Sequence, residues 1–429
     1  MRWSKVIWSG IPDKLSKRGV ARLVNILFVA DVFFPDSVGG AGRVAYHLAR
    51  ELSWRHDVHM VTRNPNRRLA PYEILNNAIH VHRFPVPTVS HPGFLFSEVR
   101  HSDELFRTIW QTSPPDLVCA HQSLPAITLR FSPRFRGTPF VYCFYSPWHE
   151  EYLIKTSNVV GIRRVLHRCV ASLMKAIEGW VARHAQKIFV ISRYSREQVI
   201  NTHRCPARRV VLLSPGVDLD AFCLPAEGKE AMQSDFGWPG GKLVFLTARN
   251  LVPRMGLENL IAAFAESSVL RRQAMLMIAG DGPLRDRLTR MIQASGLEST
   301  IHMRGRVSDD LLIKLYQGSD FFVLPTRALE GFGLVILEAM ACGTPVIGTP
   351  VGAIPDILTP FDPRLVCEGF RGRHLRRKLE SVVTTPAVYR FPPEQCRRFV
   401  VDRYSWSEMG RAFEAAMTPL VHPAAHLRV

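Results

Sequence analysis

The chain has 429 residues, enough for two or three domains at roughly 100–200 residues each. Hydrophobic residues make up 47%, which excludes wholesale disorder, and 55 Lys/Arg against 37 Asp/Glu give a formal net charge of +18. That excess points to an anionic partner (nucleic acid, an anionic membrane face or a phosphorylated substrate) and says nothing of the fold. No two of the eight cysteines stand at C-x-x-C spacing, which argues against a zinc ribbon and a thioredoxin-type motif. Cys119 in DLVCA and Cys342 in AMACG read as small buried hydrophobes, and a reducing cytosol is the expected compartment. No apolar run reaches the ~18–20 residues of a spanning helix, and the N-terminus lacks the apolar core of a signal peptide.

Residues 1–21 read as a basic leader with Trp3 and Trp8. The near-continuous apolar run NILFVAD (25–31) predicts a buried parallel strand. The glycine turn VGGAG (38–42), a helical pattern and the strand DVHMVT (57–62) complete a βαβ unit. Further strands are predicted at 80–86, 116–122, 139–145, 187–192 and 210–216, with helical patterns between most of them. Residues 218–240 are rich in Pro, Gly and polar residues and read as a linker. A second α/β series follows, with strands at 242–249, 274–282, 301–307, 320–325 and 344–349 and helices at 257–267, 283–295, 309–319 and 331–343. The expected architecture is α/β: two tandem Rossmann-like domains with a cleft between them. The expected divisions are 1–21, 22–220, 221–400 and a C-terminal helix within 401–429 that crosses back to the first domain.

Five regions carry residue types suited to chemistry or binding. The VGGAG turn, with Gly40 at its centre, either makes a tight strand–helix connection or lets backbone N–H groups approach an anion or sugar. Arg249 ends a predicted strand and Arg254 follows on the loop, where two guanidinium groups can grip a diphosphate or simply face solvent. In ALEGFGLVILEAMACGTPVIGTP (328–350), Glu330 lies in a glycine-rich strand-to-helix loop and Glu338 on an otherwise apolar helix. A buried carboxylate there needs hydrogen-bonding partners, supplied either by a sugar diol or by an internal salt bridge. His121 and His149 end first-domain strands. His149 stands with Tyr145, Ser146, Trp148, Glu150 and Glu151 in a loop that can face a substrate. Residues 161–186 predict a basic amphipathic helix with an apolar stripe of Ile162, Val165, Leu166, Cys169, Leu173, Ile177 and Trp180. Residues 161–210 hold eleven Lys/Arg against two Glu. Such a face is either merely solvated or a surface for a membrane or an anionic acceptor.

The tandem order, the GG turn, SPGVD (214–218), ARNLVPRMG, GDGPL, GRVSDDLL and EGFGLVILEAMACGTPVIG together resemble glycosyltransferase family 4, over about residues 24–417. The resemblance implies the GT-B fold and transfer with retention of anomeric configuration from a nucleotide-diphosphate sugar. The acceptor that the resemblance implies is a glycan or lipid-linked. The resemblance extends to the subgroup that assembles bacterial surface polysaccharide and glycolipid. Under it, Glu330 contacts sugar hydroxyls, and the N–H groups of Gly331, Phe332, Gly333 and Leu334 line the sugar and diphosphate. Glu338 holds the ribose diol, and Arg249 neutralises the diphosphate. The family's Lys is replaced by Met255, so Arg254 is expected to supply the second positive charge and Met255→Lys to be tolerated. The family's His at the end of strand 139–145 is replaced by Tyr145, with His149 four residues on. Neither a metal nor any other cofactor is expected.

Two alternatives accompany this reading: another GT-B activity, such as a nucleotide-sugar epimerase or a glycogen-synthase-like polymerase, and a catalytically weak scaffold. Nucleic acid is not expected as a partner, because no recognised binding module accompanies the charge. The expected location is the cytoplasm, peripheral on the inner face of an anionic membrane.

Overall fold

A computed structural model describes residues 23–422 except 32, 37, 38, 66–68, 89, 90, 92 and 158. The expected leader, and Val38 of the glycine turn, lie outside the described residues.

The first apolar runs form a sheet of eight strands: β1 (Asn25–Ala30), β2 (Asp57–Pro65), β3 (Tyr72–Leu75), β4 (Ile79–Val86), β5 (Leu117–Ala120), β6 (Phe140–Phe144), β7 (Lys187–Val190) and β8 (Val210–Leu212), in the order β3-β4-β2-β1-β5-β6-β7-β8. All pairings are parallel except β3 with β4. Central strands β1, β5 and β6 are almost wholly buried on both faces, which is why their sequences are unbroken apolar runs. The edge strand β3 has no such run. YEIL alternates exposed and half-buried residues and was not separable from loop by pattern.

The second sheet holds β9 (Leu243–Ala248), β10 (Ala274–Ala279), β11 (Ile301–Gly305), β12 (Phe321–Leu324) and β13 (Val346–Gly348), all parallel, in the order β11-β10-β9-β12-β13. In both sheets the order reverses beside the first strand of the series, β1 or β9. That switch point opens a crevice at the strands' carboxyl ends.

Two expectations need correction. The segment read as linker contains the helix Lys229–Asp235, after which Phe236 and Trp238 stack at 4.7 Å. The helix Ile162–His184 does not bury the expected stripe. Ala171, Met174, Glu178, Val181 and Ala182 face the core, while Ile162, Val165, Leu166, Cys169 and Leu173 are exposed. The helix has two apolar faces and the domain covers only one.

The last helix, Trp406–Val421, lies on the first domain's Gly40–Ser53 helix. Phe413 is fully buried, its ring 4.5 Å from Phe189 and 6.1 Å from Phe28. Glu414 pairs with Arg55 at 2.6 Å and with His56 at 3.2 Å. One buried cluster runs from Phe28 and Val44 through Phe189 and Phe413 to Tyr316, Leu337 and Phe399, and so joins the two sheets.

Candidate active site

The strand–loop–helix unit from β12 to the helix Leu334–Ala341 builds one wall of the cleft. Thr326 and Glu330 sit on its loop, and Arg249 comes from the end of the neighbouring strand β9. Arg249 Nη2 donates to Glu330 Oε2 at 2.5 Å, and Thr326 Oγ1 donates to the same oxygen at 2.9 Å. Arg249 and Glu330 are both nearly buried, with side chains 6% and 10% exposed. Arg249 Nε is buried and makes no hydrogen bond, so the guanidinium keeps a donor unspent. An anionic oxygen at that point would satisfy it.

Arg254 is placed differently from the sequence expectation. Its Nη1 donates to the Leu329 carbonyl at 2.9 Å and so supports the loop that carries Glu330. Met255 is buried, and its sulfur lies 2.7 Å from Arg249 Nη2. The expectation that Met255→Lys is innocuous therefore falls, because an ammonium there would lie against a guanidinium. Gly256 follows at φ +74°, where a Cβ would run into the Pro325 carbonyl, so the tight turn admits only glycine.

Gly331 is packed beneath β6: a Cβ on it would lie 2.7 Å from the Tyr145 carbonyl oxygen. Ser195 Oγ ties the two, donating to Tyr145 O at 3.2 Å and lying 3.5 Å from Gly331 O. Phe332 is buried with its ring 6.0 Å from Tyr404. Gly333 caps the Leu334–Ala341 helix at φ +93°. Gly40 begins the Gly40–Ser53 helix directly across the cleft, where a Cβ would stand 3.9 Å from Leu334 Cδ1. Two helix N-termini from the two domains thus converge on one spot.

Glu338 is buried and already partnered. Arg43, from the opposite domain, donates to Oε1 at 2.8 Å, and the Tyr316 hydroxyl donates to Oε2 at 3.1 Å. Of the two readings open for this residue, the structure contains the internal salt bridge, and it spans the cleft. Burial raises the Glu338 pKa despite Arg43.

Tyr145 and His149 part company. The Tyr145 hydroxyl is hydrogen-bonded to His121 Nδ1 at 2.5 Å, and burial pushes the phenol pKa well up, so it stays protonated. His149 is buried against Glu178 at 3.7 Å and beside His203, which itself bonds Glu178 at 3.1 Å. That cluster holds the Trp148–Lys155 helix onto the domain and does not include Tyr145. The placement of His149 as a catalytic candidate is corrected accordingly. Sequence reasoning missed Thr326, Tyr316 and Arg43 as members of the site. Arg43 left one signal, a cation three residues into the helix that opens at the glycine turn.

Comparison with known proteins agrees with this architecture. A family model described as "Glycosyltransferase Family 4" matches residues 38–221, and one described as "Glycosyl transferases group 1" matches residues 228–400. An uncharacterised glycosyltransferase of Methanocaldococcus jannaschii is 24% identical over 402 residues, 90% of this chain and 96% of that one. A GDP-mannose-dependent monoacylated alpha-(1-6)-phosphatidylinositol monomannoside mannosyltransferase of Corynebacterium glutamicum is 32% identical over 206 residues, 46% of this chain and 53% of that enzyme. Among solved structures, sucrose-phosphate synthase from Thermosynechococcus elongatus aligns with a TM-score of 0.77 at 18% identity, over 93% of this chain and 100% of that one. WaaG, a glycosyltransferase involved in lipopolysaccharide biosynthesis, aligns with a TM-score of 0.70 at 19% identity, over 91% and 98%. With each domain matched by its own family model and the two sheets arranged around one cleft, the chain belongs to glycosyltransferase family 4 and is a transferase of GT-B fold.

Proposed function

We propose that the chain transfers a sugar, with retention, from a nucleotide-diphosphate sugar seated on the second domain to a glycan or lipid-linked acceptor on the first. The observation that carries this reading is the Arg249–Glu330 pair beneath the N-terminus of the Leu334–Ala341 helix. The unspent Arg249 Nε and the helix's first N–H groups suit a diphosphate. Glu330 beside them suits sugar hydroxyls. In the step proposed, the bond from the anomeric carbon to the diphosphate breaks and the acceptor oxygen bonds on the same face. The acceptor proton passes to the departing phosphate oxygen. Arg249 and the helix terminus stabilise the charge that develops there. Two relatives are GDP-mannose-dependent by their names, and structures of Anabaena HepE contain UDP and glucose, which supports the donor class.

A thermal-shift panel of UDP-, GDP- and ADP-sugars tests the donor. One of them should raise the melting temperature by linkage, and the anomer of the product, read by NMR, should match the donor's. No shift with any nucleotide diphosphate, or an inverted product, sinks this reading.

The acceptor side favours a lipid surface. Ile162, Val165, Leu166 and Leu173 are exposed on a helix that also exposes Arg163, Arg164 and Arg168. Among the described residues no helix is long and apolar enough to cross a membrane. A basic, apolar helix face suits interfacial binding, with about 1 kcal/mol from each Lys or Arg near an anionic leaflet. Co-sedimentation should appear with anionic vesicles, vanish with zwitterionic ones, and weaken in the Arg163→Gln, Arg164→Gln, Arg168→Gln triple variant. Equal recovery in the supernatant with either vesicle removes the membrane from the proposal.

A further inference from the structure

At the carboxyl ends of β5 and β6, alternate residues share one face of the sheet, and on that face stand Cys119, His121, Cys143 and Tyr145. The first three are buried among Phe28, Phe189 and their neighbours. The two sulfurs are 3.6 Å apart, and Cys119 Sγ is 3.8 Å from His121 Nε2. All three donor atoms lie within 4.8 Å of one another. A tetrahedral centre with zinc–sulfur bonds of ~2.3 Å and zinc–nitrogen bonds of ~2.0–2.1 Å sets its sulfurs about 3.8 Å apart and sulfur to nitrogen about 3.6 Å apart. Two sides of the triangle therefore match a metal's ligand shell, and the third is no longer than 4.8 Å. A second observation is independent of those distances. The other imidazole nitrogen, Nδ1, is held by the Tyr145 hydroxyl, the outer hydrogen bond that orients a ligating histidine.

We propose that Cys119, Cys143 and His121 form a binding site for one thiophilic cation, Zn²⁺ or Cu⁺. Two thiolates and an imidazole select these ions over Mg²⁺ or Ca²⁺, which take oxygen ligands. Binding releases the two thiol protons to solvent and leaves Nε2 on the metal, so the imidazole proton resides on Nδ1. That proton is donated to the Tyr145 oxygen, which frees the Tyr145 O–H to donate elsewhere. The site lies behind the strand end whose carbonyl touches Gly331, so the cation would fix the tautomer of His121 and the orientation of Tyr145. It stands apart from the diphosphate position at Arg249 and takes no part in bond breaking.

The test uses the full chain, reduced and stripped with chelator, titrated with Co²⁺ as a spectroscopic substitute for zinc and, in a second arm, with Cu⁺ from a chromogenic cuprous chelator. One equivalent should bind. Cobalt should give a thiolate charge-transfer band that zinc abolishes, and X-ray absorption should report two sulfurs and one nitrogen. Cobalt binding abolished by zinc identifies Zn²⁺, and uptake in the cuprous arm alone identifies Cu⁺. Cys119→Ser and Cys143→Ser should lose the site, while Cys169→Ser and Cys223→Ser keep it. Folded wild-type protein that takes up neither ion overturns the proposal. So does uptake that survives both Cys119→Ser and Cys143→Ser. If those variants fail to fold, a wild-type shell lacking two sulfurs and one nitrogen overturns it equally.

Discussion

Arg249 is held by Glu330, Thr326 and the Met255 sulfur, yet keeps Nε free. Arg254 spends its donor on a backbone carbonyl. The two arginines should therefore differ. Arg249→Ala should lower kcat/KM by about 100- to 1,000-fold, the loss seen when one group stabilising transition-state charge is removed. Arg254→Ala should cost less and act mainly by loosening the loop at Leu329. Steady-state kinetics on the two variants checks this, and equal losses would return Arg254 to the diphosphate. Arg43 makes a second prediction. It occupies the Glu338 oxygen that a ribose diol would need, so Arg43→Gln should lower the donor KM while lowering the melting temperature of the empty protein. A raised KM would mean that Arg43 itself grips the donor. Asp31 gives the third. Burial raises its pKa to about 7 against 3.8 in a free side chain, with Arg63 opposing the shift and Glu98 adding to it. Between those values the folded state holds a proton that the unfolded state has released. Asp31 therefore costs stability increasingly as pH rises toward about 7, and the cost is full above it. Asp31→Asn should gain stability relative to wild type between about pH 5 and about pH 8, read from paired melting curves. A constant difference across that range would contradict the shift.

At the scale of elements, the Trp406–Val421 helix contributes to the first domain although it follows the second in sequence. Phe413 is its anchor between Phe28 and Phe189. Phe413→Ala removes a fully buried ring and should destabilise the protein by about 3–5 kcal/mol, measured by urea denaturation. A loss below about 1 kcal/mol would show that the helix is dispensable to the fold. The sequence predicts a helix within 401–429 that returns to the first domain, but not which residues it meets there, because an amphipathic stripe states only that a face must be buried. The same limit explains the Ile162–His184 helix. The sequence pattern marked one apolar stripe, and packing buried another face, with Met174 and Val181, while leaving Leu166 and Leu173 exposed.

For the molecule as a whole, the cleft is closed by contacts across it: Arg43 to Glu338, Arg193 N–H to Asp356 at 3.1 Å, and Gly331 beneath Tyr145. Gly331 admits no side chain at that approach. Gly331→Ala should push the domains apart by pressing on a backbone carbonyl, slowing transfer by about 10- to 100-fold for a misplacement near 1 Å. Nucleotide binding to the second domain should change little, as isothermal titration would report. Unaltered turnover would mean that the closed arrangement is not the reacting one.

The sequence by itself determined the two series of buried strands, the glycine-rich strand-to-helix loop that carries Glu330, and Arg249 at the carboxyl end of a strand. Each follows from local properties: apolar runs of strand length, glycines at turns, and a cation at a strand's carboxyl end. Tertiary structure decided the rest. Arg43 meets Glu338 across 295 positions, and His121 reaches Tyr145 across 24 through the pairing of adjacent strands. His149 turned from the cleft to Glu178, and Met255 turned inward to Arg249. Hydrogen bonding and burial pair groups by distance in space, and no periodicity along the chain encodes which distant groups the sheet order brings together.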